Sequence, residues 1–206
     1  METFLNNSIK EFSEKAASSA PVPGGGGVSA CVGALGAALG SMVCALTDGK
    51  KKYLNVQEDI RRISGELESL RNTLLGCIDG DAVAFEPLSA AYSLPKDTPN
   101  RDEIMEKCLV DAASIPFMIV ENSCKAIPLL EELSGKGSKL AISDVAVAAA
   151  LCRSAILGGA ANIYINTKLM KNREYAEDLN NRTDSLIKEY SVRADAIYNN
   201  IMEGMK

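Results

Sequence analysis

Asp81 is the acidic residue whose sequence neighbours best suit it to do chemistry. It lies among apolar residues, from Ile78 before it to Phe85 after it. A carboxylate in such surroundings is either paired within a core or part of a functional site, although an aspartate on a solvated helix face is the commoner case. The chain contains no histidine, so a general base must be an aspartate, glutamate, lysine, tyrosine or cysteine. Asp79 and Glu86 fall on other faces of the same helix, and we expect both to face solvent.

Four consecutive glycines, Gly24 to Gly27, stand just before the start of an apolar helix. Ordering glycine is costly, so a folded protein keeps such a run where the backbone turns sharply or approaches something closely. The free N–H groups and the positive dipole end of the following helix would favour an anion. A glycine-rich turn that only lets two helices touch explains the same residues.

Three lysines, Lys50, Lys51 and Lys52, follow the C-terminal end of that helix and precede Tyr53. Cations are favoured at a helix C-terminus, so the three lysines can be ordinary solvated surface residues without a binding role. The same cluster would also suit a ligand that carries carboxylates beside an aromatic ring.

Two further polar groups interrupt apolar helical segments. Ser143 and Asp144 are typical of a helix N-cap, and a carboxylate there could also bind N–H groups of a ligand. Asn162 and Asn166 are four residues apart and therefore share one helix face. Buried amides must find partners, so these two either bridge helices or bind a ligand.

The elements that position these residues are all helical in pattern. Apolar residues recur at helical spacing from Val28 to Leu46, and no strand-like alternation exceeds a few residues. We predict an all-α, single-domain helical bundle over residues 1–206, with a buried Gly/Ala-rich central helix. We predict helices over residues 4–17, 28–46, 55–94, 101–126 and 173–201, with a kink or restart at Pro116. A shorter helix ends near residue 133. An alanine-rich helix starts at residue 143 and breaks or bends at Gly158–Gly159.

Composition narrows the possible partners and compartments. The net charge of −5 makes nucleic acid a poor partner. The six cysteines form no CxxC pair and stand among apolar residues, which predicts reduced thiols in a cytoplasmic protein without a metal. Residues 16–47 carry no charge, a length that could span a membrane, but prolines, glycines and few strong hydrophobes favour a buried helix.

Four motifs in order resemble the formiminotransferase-cyclodeaminase C-terminal-domain family of folate enzymes. They are PVPGGGGVSACVGALGAALGSMVCALTDGKKKY from residue 21, DAVAF from residue 81, ISDV from residue 142 and ANIYIN from residue 161. The resemblance covers roughly residues 4–171. The chain departs from the family pattern at residues 137–140, where Gly-Asn-x-Asn is common, and at Gly80, where an acidic residue is common.

The resemblance implies a one-carbon folate enzyme that acts as a homodimer and needs no cofactor beyond its folate substrate. It implies hydrolysis of 5,10-methenyltetrahydrofolate to 10-formyltetrahydrofolate, or alternatively cyclisation of 5-formiminotetrahydrofolate with loss of ammonia. No transferase half is fused to this chain, which favours the hydrolysis. A helical scaffold without enzymatic activity is the alternative from another class of protein.

The resemblance also implies roles for individual residues. Asp81 would be the catalytic base. The implied folate-binding residues are the glycine run, the lysine cluster that would meet a glutamate tail, and three other positions: Gly24, Gly25, Gly26, Gly27, Ser29, Lys50, Lys51, Lys52, Ser143, Asp144 and Asn162.

Overall fold

The structure is a computed structural model that describes residues 3–206. Six α-helices occur within these residues, and no strand does. The helices are α1 (Ile9–Ala16), α2 (Gly25–Ala45), α3 (Gln57–Tyr92), α4 (Arg101–Lys136), α5 (Ile142–Thr167) and α6 (Arg173–Met205), and short 3-10 segments occupy Phe4–Asn6, Lys51–Val56 and Lys139–Ala141. The all-α prediction is therefore confirmed. Helices α2 to α6 pack against one another, whereas the short α1 has no buried residue.

Helix α2 packs against α3, α4 and α5 through glycines that let it approach its neighbours closely. A Cβ added at Gly36 would lie 2.7 Å from Cys152 Sγ, and one added at Gly40 would lie 2.8 Å from Leu67 Cδ1. Real Cβ atoms do not approach other atoms so closely, so larger residues at these positions would push the helices apart.

The glycine run is part of α2 rather than a turn before it, which corrects the expected helix start. Gly24 is the N-cap, and Gly25, Gly26 and Gly27 form the first turn. Pro21 and Pro23 precede this turn, and the Val22–Pro23 peptide is cis.

Helix α4 runs unbroken through Pro116 and Pro128, so the predicted restart and the separate shorter helix are wrong. A proline leaves the carbonyl four residues earlier without its helical donor. The side-chain amide of Asn166 on α5 donates to that carbonyl, Ala112 O, at 3.4 Å. The neighbouring helix thus supplies the hydrogen bond that Pro116 cannot make.

Helix α5 begins at Ile142 with Ala141 at the N-cap, so neither Ser143 nor Asp144 caps it. The predicted bend at Gly158–Gly159 is also absent, because α5 is continuous to Thr167. The reason for the second glycine is packing, since a Cβ added at Gly159 would lie 2.8 Å from Val120 Cγ2 and 3.1 Å from Pro116 O.

Two segments, Gly25–Ala45 and Lys139–Thr167, are apolar and long enough to cross a membrane by those two criteria alone. Their most apolar stretches are 50% and 44% buried inside the bundle. A core helix of a soluble protein satisfies the same criteria, so this finding is weak evidence for a membrane span.

The cysteines are free thiols, and all but the half-buried Cys31 lie in the interior. Burial raises the pKa of the thiols of Cys44 and Cys77 to about 11 and of Cys124 and Cys152 to about 12. These thiols are therefore protonated at neutral pH and act as small apolar side chains.

Candidate active site

The carboxylate of Asp81 on α3 lies against the first turn of α2. Its Oδ2 accepts a hydrogen bond from the backbone N–H of Gly27 at 2.9 Å. Burial raises the pKa of Asp81 to about 6, and the bond from Gly27 offsets only part of that rise. The carboxylate is therefore ionised at neutral pH but close to the pH at which it can take up and release a proton.

The glycine run permits this approach. A Cβ added at Gly26 would lie 2.1 Å from Asp81 Oδ1 and would overlap the carboxylate. A Cβ added at Gly25 would lie 3.0 Å from Nδ2 of Asn162. Close approach to the chain's own side chains is thus a sufficient physical reason for glycine at positions 25 and 26.

Asn162 and Asn166 meet the same region from α5. The side chain of Asn162 donates to Gly158 O at 2.8 Å, and that of Asn166 donates to Asn162 O at 2.9 Å. Asn166 is buried, whereas Asn162 is half-buried. Asn162 lines the cavity described next, and Asn166 bridges α5 to α4 through its hydrogen bond to Ala112 O.

These groups surround a cavity of about 150 Å³ between α2, α3, α4 and α5. Its polar lining comes from Asp81, Asn162 and Asn166, together with the backbone of Gly24 and Gly25. Its apolar lining comes from Pro21, Val22, Phe85, Ala112, Pro116 and Ile165. An ionised carboxylate beside amides and an aromatic ring can hold a small cation and move a proton to or from it.

The sequence indicated only part of this lining. Phe85 lies in a motif with Asp81, but nothing in the sequence placed Ala112 and Pro116 of α4 next to it. The position of these two residues depends on how α4 packs on α5. Helical spacing from Asn162 to Ile165 and Asn166 was the available signal for the α5 wall.

The remaining predicted site residues lie elsewhere. Lys50, Lys51 and Lys52 are exposed beyond the far end of α2, which is about 30 Å long from its 21 residues. Asp144 lies in the first turn of α5, close to that far end, since Lys139 N–H donates to the hydroxyl of Tyr53 at 3.1 Å. A single chain thus places its lysine cluster and Asp81 at opposite ends of the bundle.

The structure also shows the surroundings of three other residues that the sequence analysis singled out. The hydroxyl of Ser29 donates to Gly25 O at 2.6 Å within α2, and the residue packs against Gly158 of α5. Ser143 is exposed. Asp79 does not simply face solvent, because it accepts hydrogen bonds from the backbone N–H groups of Phe4 at 2.6 Å and Leu5 at 3.3 Å. Asp79 thereby ties the N-terminal segment to α3.

No group of three or more histidine, cysteine, aspartate or glutamate side chains that could hold a metal ion occurs within residues 3–206. Among the residues that line the cavity, Asp81 carries the charge, and a carboxylate can act there as a proton acceptor or a counter-ion.

Comparisons with known proteins place this geometry in a family context. The family model described as formiminotransferase-cyclodeaminase matches residues 8–185. A methenyltetrahydrofolate cyclohydrolase from Methylorubrum extorquens is 38% identical over 95% of this chain and 96% of its own. The formimidoyltransferase-cyclodeaminase of Mus musculus is 32% identical over 94% of this chain, which spans only 36% of the mouse protein.

A solved structure has the same fold. The crystal structure of formiminotetrahydrofolate cyclodeaminase from Thermotoga maritima superposes with a TM-score of 0.84 over 96% of this chain and 98% of its own, at 29% sequence identity. The similarity in sequence and in fold therefore extends over nearly the whole chain.

Proposed function

Because the chain belongs to the formiminotransferase-cyclodeaminase family, we propose that it is a one-carbon folate enzyme that hydrolyses 5,10-methenyltetrahydrofolate to 10-formyltetrahydrofolate. The family and its named relatives are enzymes, which favours catalysis over a structural scaffold. The observation that carries the proposal is the 38% identical cyclohydrolase, which matches over 95% of this chain and 96% of its own. The half-buried carboxylate of Asp81 in its own cavity supplies the chemistry.

Asp81 is the general base in this proposal. The methenyl carbon lies between two nitrogens that share a positive charge, so it is already electrophilic. Water attacks that carbon while Asp81 takes a proton from the water, which gives a neutral tetrahedral intermediate. The bond from this carbon to N5 then breaks as Asp81 returns the proton to N5, and the hydroxyl proton leaves to solvent as the formyl group forms on N10.

The raised pKa of Asp81, about 6, suits this role. A weaker acid is a stronger base once it is ionised, and at neutral pH most of Asp81 is ionised. The same negative charge attracts the amidinium cation of the substrate in a region of low dielectric. The backbone of Gly24 and Gly25 and the amide of Asn162 would orient the pterin, since all three line the cavity.

Cyclisation of 5-formiminotetrahydrofolate with loss of ammonia is the second candidate. It is favoured by the Thermotoga maritima cyclodeaminase, whose fold covers nearly all of this chain. Its tetrahedral intermediate has the same carbon between the same two nitrogens, so Asp81 would pass a proton to the departing ammonia. Neither reaction changes an oxidation state, and we propose that neither one requires a cofactor beyond the folate substrate.

The experiment that tests the proposal measures both reactions with the same protein. Loss of the absorbance of methenyltetrahydrofolate reports the hydrolysis, and release of ammonia from formiminotetrahydrofolate reports the cyclisation. We expect the hydrolysis to have the higher kcat/KM. A higher kcat/KM for ammonia release would reverse the assignment, and absence of both activities in folded protein would refute it.

We also propose that the enzyme is a homodimer that forms through α2 and α5. Both helices expose large apolar side chains on one face, including Leu35 at 51% and Ile165 at 59%. Exposed apolar stripes on two neighbouring helices are typical of surfaces that pair with another copy. The free thiols described above suit a reducing compartment, so we place the dimer in the cytoplasm.

The predicted folate role of Lys50, Lys51 and Lys52 depends on such a dimer. These lysines lie about 30 Å, the length of α2, from the Asp81 cavity of their own chain. A two-fold axis that pairs α2 with its copy in antiparallel orientation would bring them towards the other copy's cavity. Their contact with the glutamate tail of a folate therefore stays a prediction.

A further inference from the structure

Asn166 lines the Asp81 cavity with both of its amide hydrogens already used. Its Nδ2 donates to the backbone oxygen of Asn162 at 2.9 Å and to that of Ala112 at 3.4 Å. A side-chain amide has two hydrogens and one oxygen. The group that Asn166 can still offer to a ligand is therefore its carbonyl oxygen, Oδ1.

This oxygen has no donor of its own within residues 3–206, because the side chain of Asn166 makes only the two hydrogen bonds given above. Asn166 is 7% exposed, so bulk water reaches little of it. A buried acceptor without a donor costs free energy, and such groups in folded proteins usually have a partner. A ligand with an N–H group in the cavity would supply that partner.

The bridge to α4 explains only half of this amide. Pro116 leaves Ala112 O without its helical donor, and Nδ2 of Asn166 supplies one. The distance of 3.4 Å exceeds the usual 2.7–3.2 Å for N–H···O bonds, so the bridge is a weak one. It accounts for the amide hydrogens of Asn166 and leaves the oxygen without a role in the fold.

Asn166 lies one helical turn beyond the residue of α5 that meets the start of α2. The amide of Asn162 lies against Gly25, where an added Cβ would be 3.0 Å from Nδ2. Asp81 lies against the next two residues, Gly26 and Gly27. Residues four apart on a helix are about 5–6 Å from each other. A ligand whose reacting carbon lies at Asp81 therefore meets Asn166 with a more distant part.

The distant part of a methenyltetrahydrofolate carries N–H donors. The methenyl bridge joins N5 and N10, so neither of these nitrogens has a hydrogen. The remaining donors belong to the pterin ring, and the 2-amino group is the one furthest from the bridge. Its lone pair is delocalised into the ring, so it acts as a donor and matches an oxygen that can only accept.

We propose that Asn166 Oδ1 accepts a hydrogen bond from the 2-amino group of the pterin and that Asn166 is a specificity residue of the site. This inference rests on the proposed folate function and deepens it. Asn166 is not among the folate-binding residues that the family resemblance implied. The assignment gives one side chain two tasks, since its hydrogens bind the protein and its oxygen binds the ligand.

A pair of ligands tests the contact by calorimetry without any turnover. One is 5-formyltetrahydrofolate, and the other is its 2-desamino-2-methyl analogue, in which a methyl group replaces the amino group. Wild type should bind the first about tenfold more tightly, the effect of one lost hydrogen bond that leaves a buried acceptor unpaired. Asn166→Leu should bind the two ligands equally. A purely structural role would weaken both ligands alike and preserve the tenfold ratio.

Two further constructs separate the contact from the fold. Asn166→Leu also removes the donor to Ala112 O, so it is made in a Pro116→Ala background as well. There the new backbone N–H at position 116 can bond Ala112 O, and the bridge is no longer needed. Because Pro116 lines the cavity, Pro116→Ala alone is the reference for that double variant.

Asn122→Leu is the matched control. Asn122 is a buried asparagine on α4, 9% exposed, and its Nδ2 donates to Met118 O at 2.7 Å. It does not line the Asp81 cavity. We expect Asn122→Leu to lower the melting temperature and to keep the tenfold ratio between the two ligands.

The ratio should fall about tenfold when Asn166→Leu is added to wild type and to Pro116→Ala. A wild-type ratio near one, or a ratio that Asn166→Leu leaves unchanged in the Pro116→Ala background, would overturn the assignment. The result is independent of the proposed reaction. Protein that shows the expected ratios but converts no folate would refute the reaction and support the contact, whereas active protein with an unchanged ratio would do the opposite.

Discussion

Asp81 meets two opposing requirements. Burial disfavours its charge and raises its pKa, whereas a general base must be ionised to act. The single backbone hydrogen bond from Gly27 moderates the rise without cancelling it. A pKa of about 6 leaves the group mostly ionised at neutral pH while it remains a far better proton acceptor than a solvated aspartate.

Asp81→Asn should therefore fold, bind folate and lose turnover by a factor on the order of a hundred or more, the range for a lost general base. In wild type, kcat/KM should rise with pH and level off above about 6, the pKa of Asp81 in the free enzyme. The mutant should lack that rise. Stopped-flow absorbance between pH 5 and 8 measures both effects, and near-normal turnover in the mutant would contradict the assignment of Asp81 as the general base.

The same substitution should stabilise the fold at neutral pH. The carboxyl group has a pKa of about 6 in the folded protein and 3.8 as its reference value, so the folded state carries an ionisation cost above pH 6 that disappears below pH 4. Two pKa units correspond to about 3 kcal/mol, and partial solvent exposure reduces this to roughly 2. Denaturant unfolding should show Asp81→Asn more stable than wild type at pH 8 and equal to it near pH 4. An equal or lower stability at pH 8 would contradict the burial argument.

Gly26 and Gly24 offer a matched pair for the role of the glycine run. A Cβ at Gly26 would lie 2.1 Å from Asp81 Oδ1, whereas the nearest atom to a Cβ at Gly24 is Pro21 O at 3.8 Å. Gly26→Ala should displace the carboxylate from Gly27 and lower kcat on the order of tenfold to a hundredfold, since small misplacements are costly in catalysis. Gly24→Ala should retain activity within about twofold. Equal kinetics in the two variants would show that glycine 26 is not needed for the position of Asp81.

At the scale of helices, sequence patterns predicted where most elements lie but not how two of them continue. The helices predicted over residues 55–94 and 173–201 agree with α3 and α6, and the predicted start at residue 101 agrees with the start of α4. The predicted restart at Pro116 was wrong because the hydrogen bond that this proline cannot make is replaced by a residue far away in sequence. The side-chain amide of Asn166 donates to Ala112 O. Local propensity contains no information about such a partner.

The same limit applies to the candidate site. Motif residues indicated Asp81, the glycine run and Asn162, and of these Asp81, Gly24, Gly25 and Asn162 line one cavity. Ala112 and Pro116 of α4 also line this cavity, but no motif pointed to them. Their position depends on how α4 packs on α5, where Asn166 contacts Ala112 across 54 residues of sequence.

Gly36 tests how tightly α2 and α5 are packed. Alanine normally stabilises a helix by up to about 1 kcal/mol relative to glycine, but a Cβ here would lie 2.7 Å from Cys152 Sγ and 3.1 Å from Ala148 O. We expect Gly36→Ala to destabilise the protein by about 1–2 kcal/mol, since overpacking outweighs propensity. Gly65→Ala on α3 should stabilise it instead, because a Cβ there meets no atom of residues 3–206 within 4 Å.

Thermal and denaturant unfolding of the two variants measures these opposite signs. Adding Cys152→Ala to Gly36→Ala should recover part of the loss, because the two residues are in contact and their effects are coupled. A stabilising effect of Gly36→Ala would mean that α2 and α5 are packed less closely than the structure shows.

At the scale of the whole molecule, the polar residues predicted from the sequence to form a site lie at two ends of one bundle. Asp81, the glycine run and Asn162 lie at the N-terminal end of α2, whereas the lysine cluster and Asp144 lie near its C-terminal end. Between these ends, α2 is uncharged from Gly25 to Ala45 and exposes an apolar stripe that includes Val28, Leu35 and Met42. A protein with this pattern loses exposed apolar area when it pairs with a second copy along that stripe.

Leu35 lies at the middle of that stripe, with 51% of its surface exposed. Leu35→Glu places a charge in the proposed interface, where its desolvation would oppose association. We expect wild type to sediment as a dimer at micromolar concentration and Leu35→Glu to sediment as a monomer with unchanged helical content. Leu54→Glu is the control, because Leu54 is 67% exposed in the 3-10 segment outside the stripe, and it should remain a dimer. A monomeric wild type, or a dimer that Leu35→Glu leaves intact, would contradict an interface along α2.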